Sequence, residues 1–260
     1  MISQAPDFTG SGKFIQQILV HSGHAGHDNY LVAGIQGNFT LPEGLVEDGH
    51  SIFVRFDGKD LDFPIAGMSD VMPYESRVFS KMTPRELAAY EQVFETKIRQ
   101  ALDRFQPDII HTHHLWIVSA IARRLSPGIP MITSCHGTCL RQHVLCPDIS
   151  KKITPDLRQI DQVIALSRSQ QQEIIHTIGT SPQSIHVVSG GYNDACFFHA
   201  PKPFDGVVEL VYAGKLSQAK GVPWLLRSLA KIRHLPFRLH LAGNSSDREK
   251  ARCLDLAGIS

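Results

Sequence analysis

Short runs of apolar and β-branched residues alternate along nearly the whole chain with longer stretches in which apolar positions recur every three or four residues. The runs at 30–35, 51–56, 108–111, 131–133, 163–166 and 185–188 read as strands buried on both sides. Strands separated by helical stretches predict an α/β fold, a parallel sheet of about six strands covered by helices on both faces.

The helical stretches carry their own start and stop signals. Thr83-Pro84-Arg85-Glu86 is a capping box with proline at the first helical position, and Leu87, Tyr90, Phe94, Ile98, Ala101 and Phe105 follow on one stripe. Ser167 with Gln170 opens another helix, which runs through Ile174, Ile175 and Ile178 until Gly179 ends it.

A fresh cycle begins after the proline-containing stretch 199–204, with a strand at 208–214, a helix at 223–232, a strand at 237–243 and a polar helix. This predicts a first domain over 1–198, a linker at 199–206 and a partial second domain over 207–260. Two strands leave an open edge and a wide apolar surface, so the second domain is expected to stop short of a full sheet. The first strand is expected to be abbreviated too, with only Ile2 and Ser3 before the loop 4–12.

Composition narrows the classes. With 42% hydrophobic residues, 20% charged residues and a net charge of +1, a disordered tail and a nucleic-acid-coating protein both fit poorly. No apolar run reaches the roughly 20 residues of a membrane helix, and 1–6 has neither the basic flank nor the apolar core of a signal peptide. The expected setting is therefore cytoplasmic. Five cysteines, an odd number, then read as reduced thiols rather than a disulfide framework.

Four stretches carry chemistry. They are Thr9-Gly10-Ser11-Gly12-Lys13, Pro107-Asp108-Ile109-Ile110-His111-Thr112-His113, Ser134-Cys135-His136-Gly137-Thr138, and Ala213-Gly214-Lys215-Leu216-Ser217-Gln218-Ala219-Lys220-Gly221. In this order and spacing they resemble the family 4 retaining glycosyltransferases. That resemblance implies the GT-B fold, two Rossmann-like domains with the active site in the cleft between them, and the transfer of a hexosyl group from a nucleotide sugar to an acceptor hydroxyl with retention. It also implies a carbohydrate or glycolipid acceptor, the latter with peripheral membrane contact.

Within that resemblance, Lys215 follows a strand end and Lys220 precedes a helix, where free backbone N–H groups favour a diphosphate. Negative charge grows on the departing diphosphate as the anomeric carbon becomes cationic, so fixed positive charge there counts most in the transition state. Look-alike enzymes usually carry Arg where this chain has Lys215, which keeps the charge and loses the bidentate fork. Because lysines take the place of a divalent ion, neither a metal nor another cofactor is expected. The resemblance assigns His136 to the transferred sugar as acid, base or hydrogen-bond partner. It places Gly214 with the two lysines, and it makes Gly10, Ser11 and Gly12 a loop that approaches the donor closely. Gly190 and Gly191 resemble the family's glycine turn leading back toward the cleft.

Other readings fare worse. A phosphate-binding P-loop ending at Gly12-Lys13 needs Gly at 7 and Ser or Thr at 14, where Asp7 and Phe14 stand; a dinucleotide fingerprint needs Gly at 15, which is Ile15. Cys135, His136, Cys139, His143 and Cys146 are thiolate and imidazole ligands within one short stretch, yet their spacing matches no paired zinc pattern. Alternation sends His111 and His113 to one face and leaves His114 in the following turn.

Relatives of this type carry two glutamates eight positions apart in the second domain, and none of the nine glutamates here is followed by another at that spacing. The chain alone is therefore expected to be inactive, without half of the donor contacts. A non-catalytic module that binds a sugar nucleotide, completed by a partner, is the alternative. A nucleotide-sugar epimerase on the same fold is another, and it would need a carboxylate array that the sequence does not display.

Overall fold

The computed structural model describes residues 10–37, 39–69, 72, 75–201 and 203–258. The expected opening strand at Ile2 and Ser3, and most of the loop at 4–12, lie outside them. The chain divides into two compact units, one running to Gly191 and the other from Tyr192. That division falls a few residues ahead of the 199–206 stretch expected as the linker.

Unit 1 opens with helix α1 (Gly10–His24), followed by strands β1 (Leu31–Ile35) and β2 (Ser51–Arg55) in parallel register, Leu31 opposite Ser51. β1 is buried on both faces: Leu31 and Ala33 pack with Ile15 and Leu19 of α1, while Val32 joins the main core. Two short strands follow, β3 (Ala66–Gly67) and β4 (Arg77–Val78). Helix α2 (Pro84–Phe105) then begins as the capping box requires, with Thr83 Oγ1 accepting from the Glu86 N–H and the Glu86 carboxylate accepting from the Thr83 N–H. Its stripe of Tyr90, Phe94, Ile98 and Ala101 is buried.

The second half of unit 1 alternates regularly. β5 (Ile110–His113), α3 (Ile117–Leu125), β6 (Met131–Ser134), α4 (Thr138–Leu145), α5 (Pro147–Leu157), β7 (Gln162–Ala165), α6 (Arg168–Ile178) and β8 (Ile185–Val187) form a four-stranded parallel sheet in the order β5-β6-β7-β8. α6 starts at Ser167, whose Oγ accepts from the Gln170 N–H, and ends at Gly179 with φ +80°. Buried Arg123 ties the amino ends of this sheet together. Its guanidinium meets Asp161 Oδ2 at 2.9 Å and the Ile129 carbonyl at 3.1 Å, and Asp161 Oδ2 also accepts from the Met131 N–H.

Two expectations change. The single six-stranded sheet is, among the described residues, a β1–β2 ladder, a β3–β4 ladder and the four-stranded ladder. Apolar runs identify strands without specifying which edges pair, and α2 bridges the groups by packing on β1, β2 and α3. The strand expected at 108–111 runs instead from Ile110 to His113. Ile109 is exposed, and the ladder continues through polar residues matched to polar residues, Thr112 to Thr133 and His113 to Ser134.

Unit 2 holds β9 (Val208–Ala213), α7 (Val222–Ala230), β10 (Phe237–Ala242) and α8 (Asp247–Ala257), with β9 and β10 parallel and in register from Val208 opposite Phe237. Val222, Leu226 and Cys253 form its small core against Leu239 and Leu241.

Candidate active site

In parallel α/β sheets, ligand-binding groups gather at the carboxyl ends of the strands, where the loops are free of the ladder. β5 and β6 lie with His113 opposite Ser134, so their ends bring His113, His114, Cys135 and His136 to one place. His111 and His113 share a face, as strand alternation requires, with their rings stacked and centroids 4.5 Å apart. His111 Nε2 lies 2.9 Å from Ser134 Oγ, and His113 Nδ1 lies 3.1 Å from His136 Nε2. The chain then turns from β6 into α4 at Gly137, whose φ of +87° is a conformation that side chains with a Cβ rarely adopt.

Burial decides the charge of these rings, because taking imidazolium out of water is costly. Desolvation, and then His114, push His136 down to about 3. Desolvation pushes His111 down to about 4, and together with the neighbouring His111 it holds His113 well below its ordinary value. All three rings are neutral near pH 7. The contact between His113 and His136 is then a bond in which one ring donates and the other accepts.

Gly10, Ser11 and Gly12 were expected in a loop, and the structure places them in the first turn of α1. The helix can start there because two glycines and a serine offer no bulk to its first turn, and a Cβ added at Gly10 would meet nothing within 4 Å. Phe14, one turn further on, sets its ring edge against His113 and His136 at centroid distances of 6.1 and 5.3 Å. Phe14 entered the sequence reading only as a residue that breaks a P-loop pattern; its packing role depends on a contact distant in sequence.

In unit 2, Gly214, Lys215 and Lys220 sit on one loop that leaves the carboxyl end of β9. The Gly214 N–H bonds the Ala242 carbonyl, and the Leu216 N–H bonds the Asn244 carbonyl at 2.9 Å, which fastens the loop to the end of β10. The Tyr212 hydroxyl donates to the Lys215 carbonyl at 2.9 Å. A 3-10 turn over Gln218–Lys220 and Gly221 at φ +76° lead into α7, and both lysine side chains are exposed. Gly190 and Gly191 are exposed at the end of unit 1.

The cysteine and histidine cluster divides. His143 is fully engaged: a carbonyl only accepts, so its Nε2 donates to the Leu115 oxygen at 2.9 Å, and its Nδ1 lies 2.7 Å from Ser150 Oγ. Cys135 and Cys139 are buried with their sulfurs 3.6 Å apart. All five cysteines are free thiols.

Alternating parallel strands and helices in both units, together with the likeness of the chain to solved glycosyltransferases, place the protein in the GT-B class of glycosyltransferase fold. An Anabaena protein solved in complex with UDP and glucose has this fold, with a TM-score of 0.56 over 99% of this chain and 64% of that one at 15% identity. Residues 38–195 match Glycosyltransferase Family 4, and the chain belongs to that family. A glycogen synthase of Mycobacterium tuberculosis is 29% identical over 156 residues, covering 56% of this chain and 37% of that protein. An uncharacterised glycosyltransferase of Methanocaldococcus jannaschii is 27% identical over 240 residues, covering 80% of this chain and 58% of its own length. The chain thus spans little more than a third of the first relative and under two thirds of the second. Among the described residues no helix is long and apolar enough to cross a membrane.

Proposed function

We propose that this chain belongs to a retaining glycosyltransferase that moves a hexosyl group from a nucleoside diphosphate sugar to a hydroxyl of a carbohydrate or glycolipid acceptor. The observation that carries this reading is His136, a half-buried imidazole fixed at the carboxyl end of β6 within the span that matches the family. A ring with a pKa of about 3 is not a source of imidazolium at neutral pH. In this reading it acts as a neutral hydrogen-bond partner to a sugar hydroxyl rather than as an acid.

In unit 2, the loop carrying Gly214, Lys215 and Lys220 is the diphosphate cradle, with two exposed ammonium groups and a helix start on one short segment. The UDP bound in the Anabaena structure supports a nucleotide ligand for this fold. Two lysines supply the positive charge that a divalent ion would otherwise provide, so transfer needs no metal.

Calorimetric titration of the protein with UDP, GDP and ADP in EDTA tests the cradle. One diphosphate binds, and Lys215→Ala and Lys220→Ala each weaken it roughly tenfold, the size of a lost charge-assisted hydrogen bond. Binding that depends on added magnesium, or that both variants leave unchanged, overturns the assignment.

A further inference from the structure

Unit 2 carries a charge imbalance that the net charge of the chain hides. No Asp or Glu stands between Glu209 and Asp247, while the same span holds six Lys or Arg residues in a chain whose net charge is +1. Lys215 and Lys220 belong to the loop before α7, and Arg238 is paired with Glu209. The rest of the excess lies on α7 and the turn that follows it. We propose that the outer face of α7 is a docking surface for an anionic lipid bilayer, which it meets from the water side without crossing.

α7 runs from Val222 to Ala230, and Lys231 keeps helical dihedrals at its C-cap. With 3.6 residues per turn, Trp224, Arg227 and Lys231 fall within an arc of about 60°. Val222 and Leu226 lie on the opposite side, buried against Leu239 and Leu241. All three outward residues are exposed, Trp224 to 69%, and among the described residues neither Arg227 nor Lys231 has an ion pair. The chain then turns, the Leu235 N–H bonding the Ile232 carbonyl at 2.9 Å, and sets Ile232 and Leu235 in water at 37% and 50% exposure. The cationic arc thus continues into exposed apolar side chains.

That combination suits a bilayer interface. An indole at headgroup level sets its ring in the apolar layer and its N–H in the polar one. Arginine and lysine beside it reach lipid phosphates while their aliphatic stems lie along the apolar layer. Close to an anionic leaflet, each basic side chain strengthens attachment roughly fivefold. Duplex DNA or an acidic chain would answer the cations and leave Trp224, Ile232 and Leu235 in water, whereas a lipid surface takes up both. The surface uses neither His136 nor Lys215 and Lys220, so it stands or falls apart from the diphosphate cradle and from the identity of the acceptor.

The test is flotation of the full chain with vesicles of phosphatidylcholine, alone or mixed with phosphatidylglycerol, together with tryptophan fluorescence. The chain has two tryptophans and Trp116 is 2% exposed, so a blue shift and quenching by brominated lipid report Trp224. The chain floats with the anionic vesicles and not with phosphatidylcholine, and 1 M salt, which screens charges beyond about 3 Å, releases it. Brominated phosphatidylglycerol quenches its emission. Arg227→Glu combined with Lys231→Glu weakens binding roughly tenfold or more, as does Trp224→Ala, while Lys215→Ala combined with Lys220→Ala weakens it by less than about threefold. UDP binding in solution reads the cradle separately. Should a variant fail to fold by circular dichroism, brominated-lipid quenching of the wild type decides. The proposal is overturned by no binding to anionic vesicles at low salt, by equal binding to phosphatidylcholine, by emission that brominated lipid leaves unquenched, by full binding after the double charge reversal, or by tighter binding to duplex DNA or polyglutamate than to the vesicles.

Discussion

His113 Nδ1 and His136 Nε2 share one proton across 3.1 Å, and burial keeps both rings neutral. His113 thereby fixes the orientation of the ring that the family resemblance assigns to the sugar. Replacing His113 by leucine removes this partner without adding charge. Nitrogen NMR of labelled histidine is expected to show His136 pass from one tautomer to a mixture and, under the proposed function, sugar transfer to slow roughly tenfold or more.

The same burial predicts an acid-sensitive fold. His111 has a folded pKa of about 4 against 6.5 in the unfolded chain, because desolvation disfavours its charged form. The stability its neutral ring contributes is fully present above pH 6.5 and is lost as the pH falls toward 4. The loss is on the order of 3 kcal/mol. Denaturant melts across that window should show it, and His111→Asn should remove its share of the dependence while the buried His113 and His136 keep theirs.

Arg123 is 4% exposed and is satisfied by Asp161 and by the carbonyls of Ser126 and Ile129. Arg123→Ala strands those carbonyls and leaves a void where α3 meets β6. A loss of about 3 kcal/mol is expected from equilibrium unfolding. Asp161→Asn should cost less, since half of that side chain is already in water.

In unit 2, Gly243 passes so close to the Gly214 carbonyl that an added Cβ would overlap its oxygen. Backbone cannot move aside as a flexible side chain can. Gly243→Ala should therefore loosen the ends of β9 and β10 by more than about 2 kcal/mol. Hydrogen exchange would show faster amides in β9 and β10 and unchanged protection in β5 to β8.

Much of this was legible along the chain. The capping box at Thr83 and Glu86, the Ser167 start and Gly179 stop of α6, and the burial of Tyr90, Phe94, Ile98 and Ala101 depend on residues within a few positions of one another. The pairing of His111 with His113 on one face follows from strand periodicity alone. Local physics of this kind survives folding because the interactions close over one or two turns.

What lies between distant segments was not legible. Periodicity showed that β1, β2 and β5 to β8 are strands, and only packing decided that they form separate ladders among the described residues. The sequence put Cys135, Cys139 and His143 in one neighbourhood, whereas folding gave His143 to Leu115 and Ser150 and left Cys135 and Cys139 as a buried pair. It named Gly10 to Gly12 as a loop, and the structure makes them a helix start whose Phe14 meets His136. The amino-acid order fixes propensity and spacing; which side chains lose water, and which polar atoms find partners there, is decided when segments far apart in the chain compete for the same interior.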